Sequence, residues 1–286
     1  MNNGMTKVYL NGEFIPLKEA RISVLDRGFT FGDSVYEVLP VYSRHILRLK
    51  EHIERLDNSL AAIYMQNPMS LDQWQGVLTT LVEQDPAENQ SIYLQVTRGV
   101  SERDHSINID VKPTVFIMSK PLIKKDLSNG INAITCDDIR WKYCNVKATT
   151  LLPGILLRHQ AEEKGAMEAI LLRNDIVTEG AASNVFIVKD NVINTPVKDG
   201  NILPGITRDL VVELLNDANM PCNETHITKN ELLDADEIWI TSSTWEIVPV
   251  IKLDDDLVGE GTPGKTWKQT IEIYQKFKDE VIRGIR

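Results

Sequence analysis

A lysine, a glutamate and an arginine, far apart in the chain, are the residues best placed for chemistry. Lys147 stands in Asn145-Val146-Lys147-Ala148-Thr149-Thr150-Leu151-Leu152, followed by small and apolar residues with no carboxylate near it in sequence. Desolvation of a lysine favours the uncharged amine, a nucleophile and a base. The same context also suits a surface lysine snorkelling off a strand end, and Lys142 competes with it. Glu179 closes an apolar segment and opens the small-residue run Gly180-Ala181-Ala182-Ser183. Small residues let a flat ligand approach the backbone, and a carboxylate beside them can pair with a protonated ring nitrogen; an ordinary turn glutamate fits the pattern too. Arg55, beside the apolar stripe of a helix, can reach a buried phosphate as a planar, permanent cation, or form an ion pair with Glu51, Glu54 or Asp57.

Further donors come from Leu203-Pro204-Gly205-Ile206-Thr207-Arg208, just before a helix, whose first amides suit a phosphate unless the Thr207 hydroxyl merely caps them. Thr241-Ser242-Ser243-Thr244 adds hydroxyls at a strand end. In Arg103-Asp104-His105 a guanidinium and an imidazole two residues apart can converge on a carboxylate, or the three can form a solvated turn. His45, His52, His159 and His226 show no metal-binding spacing, and Cys136, Cys144 and Cys222 form no CxxC pair, so no metal site is expected and the cysteines read as packing residues.

Hydrophobic periodicity supplies the elements that must position these groups. Val8–Leu10 and Phe14-Ile15 flank Asn11-Gly12 and predict a hairpin; a second follows from residues 37–41 and 45–47 around Ser43-Arg44. Leu49, Ile53, Leu56, Leu60 and Ile63 draw one helical stripe, and Leu71 to Val82 a second. Strands are expected at 92–97, 114–118, 131–136, 169–172, 185–188, 192–193 and 238–241, with helices over about 150–164, from Thr207, and from Trp267 to Val281. Residues 119–129, charged and ending in Asn129-Gly130, read as a boundary. The expectation is an α+β chain with a smaller N-terminal domain over 1–120, a linker over 121–129 and a larger C-terminal domain over 130–286.

The chain has 286 residues, 31 Lys and Arg against 41 Asp and Glu, and a net charge of −10. With no basic tract, nucleic acid is not an expected partner; with no long apolar run, neither is a membrane, and a cytoplasmic protein is expected.

In this order the features resemble one family, the pyridoxal-phosphate enzymes of the branched-chain and D-amino-acid aminotransferase type. The matching stretches are RGFTFGDSVYEV from Arg27, HIERL from His52, VTRGVSERDH from Val96, DIRWKYCNVKATTLL from Asp138, EAILLRNDIVTEGAASNVF from Glu168, LPGITRD from Leu203 and TSSTWEIVPV from Thr241. The resemblance implies a two-domain fold of type IV, with pyridoxal 5'-phosphate between the domains and the Schiff-base lysine, Lys147, in the larger one. Lys147 would also move the substrate proton. Glu179 would hold the pyridine nitrogen protonated; Arg55, the amides of Ile206 and Thr207, and Ser243 would hold the phosphate; Leu203 would pack against the ring. Tyr36, Arg103, His105 and Thr244 would bind substrate, with Arg103 and His105 supplied across a homodimer interface as in the D-amino-acid branch. Ala148-Thr149-Thr150 after the lysine also resembles that branch. The implied reaction is ping-pong amino transfer between D-amino acids, such as D-alanine and D-glutamate, and 2-oxo acids. Branched-chain L-amino-acid or (R)-amine transamination and aminodeoxychorismate lysis are the alternatives on the same scaffold. Glu37 is left without a role, and Trp245 and the pair Ala181-Ala182 depart from the D-specific pattern.

Overall fold

Residues 6–123 and 125–285 are described by the computed structural model, which divides into two compact units. One comprises Met1–Ile123 together with Val146–Thr150, the other Lys124–Asn145 and Leu151–Arg286.

The first unit opens with β1 (Lys7–Leu10) and β2 (Glu13–Pro16). Asn11 and Gly12 between them both take positive φ, 51° and 107°, the mirror-image turn whose twist matches a hairpin. The short helix α1 (Arg27–Phe31) starts where the Asp26 carboxylate accepts the Gly28 amide at 2.8 Å and stops at Gly32, φ 67°. Next come β3 (Ser34–Tyr42), β4 (His45–Ile46), the helices α2 (Leu49–Ala62) and α3 (Leu71–Gln84), then β5 (Gln90–Thr97) and β6 (Thr114–Pro121). The strands form one antiparallel sheet in the order β2-β1-β6-β5-β3-β4. Alternation along β3 sends Val35, Glu37 and Leu39 to one face. There Val35 and Leu39 join Ile53, Leu56 and Leu60 of α2 and Trp74 and Leu78 of α3 in the core. Glu37 is therefore a carboxylate on the core face of the sheet.

Two expectations are corrected here. The linker does not begin at 119 or 121: Ser119, Lys120 and Pro121 pair in register with Ile92, Ser91 and Gln90, and proline is tolerated there because β1 pairs β6 only through Phe116, Ile117 and Met118, which leaves the other side of Pro121 an open edge. Lys147 does not sit with the C-terminal elements that surround it in sequence. Val146 and Ala148 are part of the first unit's core, Ala148 bridges Val35, and the Lys147 carbonyl accepts the Tyr36 amide at 2.9 Å.

The second unit contains β7 (Ile131–Asp137), α4 (Leu152–Glu163), β8 (Glu168–Arg173), β9 (Ile176–Gly180), β10 (Asn184–Lys189), β11 (Val192–Pro196) and α5 (Ile206–Asp217). It continues through β12 (Cys222–Thr225), α6 (Lys229–Leu233), β13 (Glu237–Ser242), β14 (Glu246–Leu253), β15 (Asp256–Leu257) and the closing helix α7 (Lys265–Ile282). Its mixed sheet runs β12-β11-β10-β13-β14-β7-β8-β9, with β15 paired to β14. Pro153 lies in the first turn of α4, where a missing amide hydrogen costs no helical bond. Strand-to-strand register delivers the ends of β9, β10 and β13 to the residues singled out above: Asn184 pairs with Thr241, and Ile170 with Gly180. Among the described residues, no helix is long and apolar enough to cross a membrane.

Candidate active site

In the first unit, Tyr36 and Glu37 are neighbours on β3 and so point to opposite faces. The Lys147 Nζ lies 4.2 Å from the centre of the half-buried Tyr36 ring. Its backbone amide donates to the Ser59 hydroxyl at 3.2 Å, and no carboxylate forms an ion pair with Nζ among the described residues. Behind that strand, the fully buried Glu37 takes a two-pronged bond from Arg55, Nε to Oε1 at 2.8 Å and Nη2 to Oε2 at 2.7 Å. His52, one turn before Arg55 on α2, meets Oε2 through Nδ1 at 2.7 Å. Burial alone would raise the Glu37 pKa. The charge and bonds of Arg55, aided by the His52 bond, outweigh it and bring it down to about 2. Burial pushes the His52 pKa down, only partly opposed by Glu37, so the ring is neutral near pH 7. The expected sequence neighbours of Arg55 are engaged elsewhere: Arg48 binds Glu51 at 2.9 Å, and Asp57 accepts from Asn67.

In the second unit Glu179 lies inside β9, not in the turn anticipated for it, and is buried. Its Oε2 accepts from Asn184 Nδ2 and from the Leu203 amide, each at 3.0 Å, and its Oε1 accepts from Arg140. Asn184 also donates to the Leu203 carbonyl at 2.9 Å, so one amide side chain fixes Glu179 and Leu203 together. Arg140 is in turn held by Asp138, and Asp138 by Arg173 and Thr178. Burial works against the Arg140 charge, but Asp138 and Glu179 outweigh it and push its pKa up.

The helix α5 begins at Gly205 without a side-chain cap; Thr207 is in the first turn, not at the capping position assigned to it as an alternative. The first-turn amides of Ile206 and Thr207 therefore lack a capping hydroxyl. A Cβ on Gly205 would come within 1.9 Å of Asn184 Oδ1, which explains why this N-cap has no side chain. Ser243 and Thr244 sit half-buried in the turn between β13 and β14, closed by the Trp245 amide on the Ser242 hydroxyl at 3.2 Å. Just before it, the buried Thr241 hydroxyl has no hydrogen-bond partner among the described residues. The exposed Arg103 and His105 form a separate cluster in the first unit, both against Phe31 of α1.

Sequence reasoning passed over Glu37, Arg140, Asn184 and Phe31. Each lies inside a stretch that had been singled out for a neighbour. The available signal was a carboxylate at a core position of β3 for Glu37 and an arginine two residues past an aspartate for Arg140.

Residues 34–253 match the family described as Amino-transferase class IV. The chain belongs to this family. Among relatives of the family, it is 40% identical over 264 residues to the D-alanine aminotransferase of Bacillus licheniformis, covering 92% of this chain and 93% of that one. It is 38% identical over 276 residues to the D-alanine aminotransferase of Staphylococcus haemolyticus, covering 96% and 98%. Two solved structures of the family extend the likeness to the fold. The branched-chain amino acid aminotransferase of Escherichia coli superposes with a TM-score of 0.90 at 26% identity, covering 95% of this chain and 94% of that one. The T.th. branched-chain enzyme, solved with pyridoxamine 5'-phosphate, gives 0.88 at 26%, covering 99% and 95%. The fold is that of type IV aminotransferases, and the protein is an aminotransferase.

Proposed function

We propose that this aminotransferase uses pyridoxal 5'-phosphate to move the amino group of D-amino acids, D-alanine and D-glutamate among them, to pyruvate or 2-oxoglutarate. The donor set fits the cofactor by its chemistry. Arg55, the uncapped amides of Ile206 and Thr207, and the Ser243 hydroxyl suit a phosphate. Glu179, its charge matched by Arg140, suits a ring N–H, with Leu203 beside it. Lys147 suits the aldehyde carbon. When bound, the cofactor supplies a protonated pyridine ring into which the electrons of a substrate Cα–H bond can delocalise.

The chain's own residues do the rest. With pyridoxal phosphate bound, Lys147 would hold it through its Nζ; as a free amine the same Nζ would take the proton from the substrate Cα and give it back, so one amine would serve as base and acid. Tyr36, whose ring lies under that Nζ, limits where the amine can reach. Arg103 and His105 hold the substrate carboxylate, supplied to each site by the partner subunit of a homodimer; Thr244 adds a hydroxyl donor. With carboxylate and base both fixed, only one enantiomer presents Cα–H to Lys147. We place the enzyme in the cytoplasm.

The observation that carries the D-amino-acid reading is the gathering of Arg103 and His105 on one ring, with both side chains exposed and neither hydrogen-bonded to a carboxylate among the described residues. The test is the visible spectrum of the purified holoenzyme, before and after D-alanine or L-leucine without keto acid. Bleaching by D-alanine alone is expected, and Lys147→Ala abolishes it. Bleaching by L-leucine alone moves the enzyme to the branched-chain reading.

A further inference from the structure

Phe31 occupies an unusual position for an apolar residue. Its ring centre lies 4.7 Å from the Arg27 Cζ, 5.1 Å from the Arg103 Cζ and 5.5 Å from the His105 ring centre. Two guanidinium groups and an imidazole therefore share one phenyl ring. The two arginines differ in what their donors do. Arg27 is buried and committed: Nε donates to Asp33 at 2.8 Å, and Nη1 donates to the carbonyl of Asp104 at 2.6 Å. Asp33 is itself held by Arg98 through Nε at 2.7 Å and Nη2 at 3.0 Å. Arg103 is exposed, and among the described residues its guanidinium bonds to no acceptor.

From this difference we infer that Arg27 and Phe31 are positioning residues for carboxylate recognition by Arg103 and His105. The inference rests on the reading that these two residues take the substrate carboxylate. A residue that orients an arginine by a hydrogen bond consumes a donor. The face of a phenyl ring attracts the cation through its quadrupole and consumes none. Phe31 thus aims Arg103 while leaving both prongs of its fork available to a carboxylate, which takes a two-pronged arginine best. Asp104 lies between the two recognition residues, so the bond of Arg27 to its carbonyl fixes the backbone that carries both. That backbone bond depends on Arg27 being fixed itself. Asp33 does this on one side, and the Gly99 carbonyl, accepting the Arg27 amide at 2.8 Å, does it on the other. The device begins at the substrate-binding turn and ends on α1, whose start is anchored by Asp26, itself bonded by Thr97 and Thr114.

The experiment compares holoenzyme variants by steady-state kinetics with D-alanine and 2-oxoglutarate, alongside thermal unfolding. Phe31→Leu keeps an apolar side chain without an aromatic face; Phe31→Tyr keeps the face; Arg27→Lys keeps a charge for Asp33 and loses the reach to the Asp104 carbonyl. Expected for Phe31→Leu and Arg27→Lys is a KM for D-alanine raised about tenfold with kcat within about twofold, the signature of a lost binding contact. Phe31→Tyr should restore the KM, and Phe31→Leu should leave the unfolding midpoint in place. Arg103→Ala is the reference. If it raises KM while Phe31→Leu and Arg27→Lys do not, the inference is overturned and the carboxylate reading stands. If Arg103→Ala leaves KM unchanged, that reading fails and takes the inference with it. A Phe31→Tyr enzyme as impaired as Phe31→Leu also overturns it, because packing and not the aromatic face would then be at work. Should Phe31→Leu not fold, Arg27→Lys against Arg103→Ala decides alone.

Discussion

At the scale of single residues, the most consequential group is one with no chemistry of its own. Glu37 is a carboxylate placed at a core position, and burying it uncompensated would be costly. Arg55 compensates it through two parallel bonds, and His52 supplies a third without adding a charge. The arrangement spends part of the Arg55 fork on Glu37, which fixes the direction in which the rest of the guanidinium faces. Glu37→Gln removes the compensating charge and leaves a buried cation. The expected cost is about 3–5 kcal/mol, read from denaturant unfolding of the protein without cofactor, together with weaker retention of pyridoxal phosphate. The acid response follows from the same residues. Glu37 and His52 both have lowered pKa values in the folded chain, so the unfolded chain binds more protons and stability falls as pH falls. The His52 contribution begins to be lost as pH drops below its ordinary 6.5, and that of Glu37 is lost between its ordinary 4.5 and about 2. Unfolding midpoints measured from pH 7 to 3 should therefore drop more steeply for the wild type than for Glu37→Gln. Parallel curves would mean that this cluster does not govern acid stability.

At the scale of elements, the start of α5 is fitted against the strand end that carries Asn184. Gly205 starts α5 at φ −69°, a conformation any residue could adopt, so its glycine is required by space and not by backbone angle. Gly205→Ala would drive Asn184 aside, and Asn184 is the side chain that joins Glu179 to Leu203. A loss of about 1–3 kcal/mol in stability and a shifted visible spectrum of the holoenzyme are expected; an unchanged spectrum would show that Asn184 does not set the position of Glu179. Elements with a strong period were legible in sequence: the Leu49 to Leu60 stripe is α2, and Asn11-Gly12 is the first hairpin turn. What was not legible had a physical reason in each case. Pro249 and a left-handed Glu246, φ 61°, break the pattern of β14, while α6 is five residues long, too short to show a period. Glu179 looked like a turn residue because the glycine after it ends its strand. The placement of Lys147 could not be read from order along the chain, because Tyr36 and Ser59, which bond to its backbone, and Val35, which bridges its neighbour Ala148, are far away in sequence.

At the scale of the whole molecule, the assignment of Arg103 and His105 to the neighbouring subunit has a consequence that no single-chain enzyme would show. On that assignment, Lys147→Ala would lack the base but keep the carboxylate pair, and Arg103→Ala would lack half the pair but keep the base. Each homodimer should be nearly inactive with D-alanine. A heterodimer of the two places both defects in one of its sites and leaves the other site with an intact Lys147 and an intact Arg103 from across the interface. Co-refolding equal amounts should therefore restore about a quarter of wild-type activity, since about half the dimers are mixed and each has one intact site of two. If the pair instead serves the site of its own chain, the mixed dimer places one defect in each site and nothing is recovered. The outcome also separates the subunit assignment from the role of Arg103: a fully active Arg103→Ala homodimer would remove the role, whereas two inactive parents with an inactive mixture would keep the role and remove the exchange.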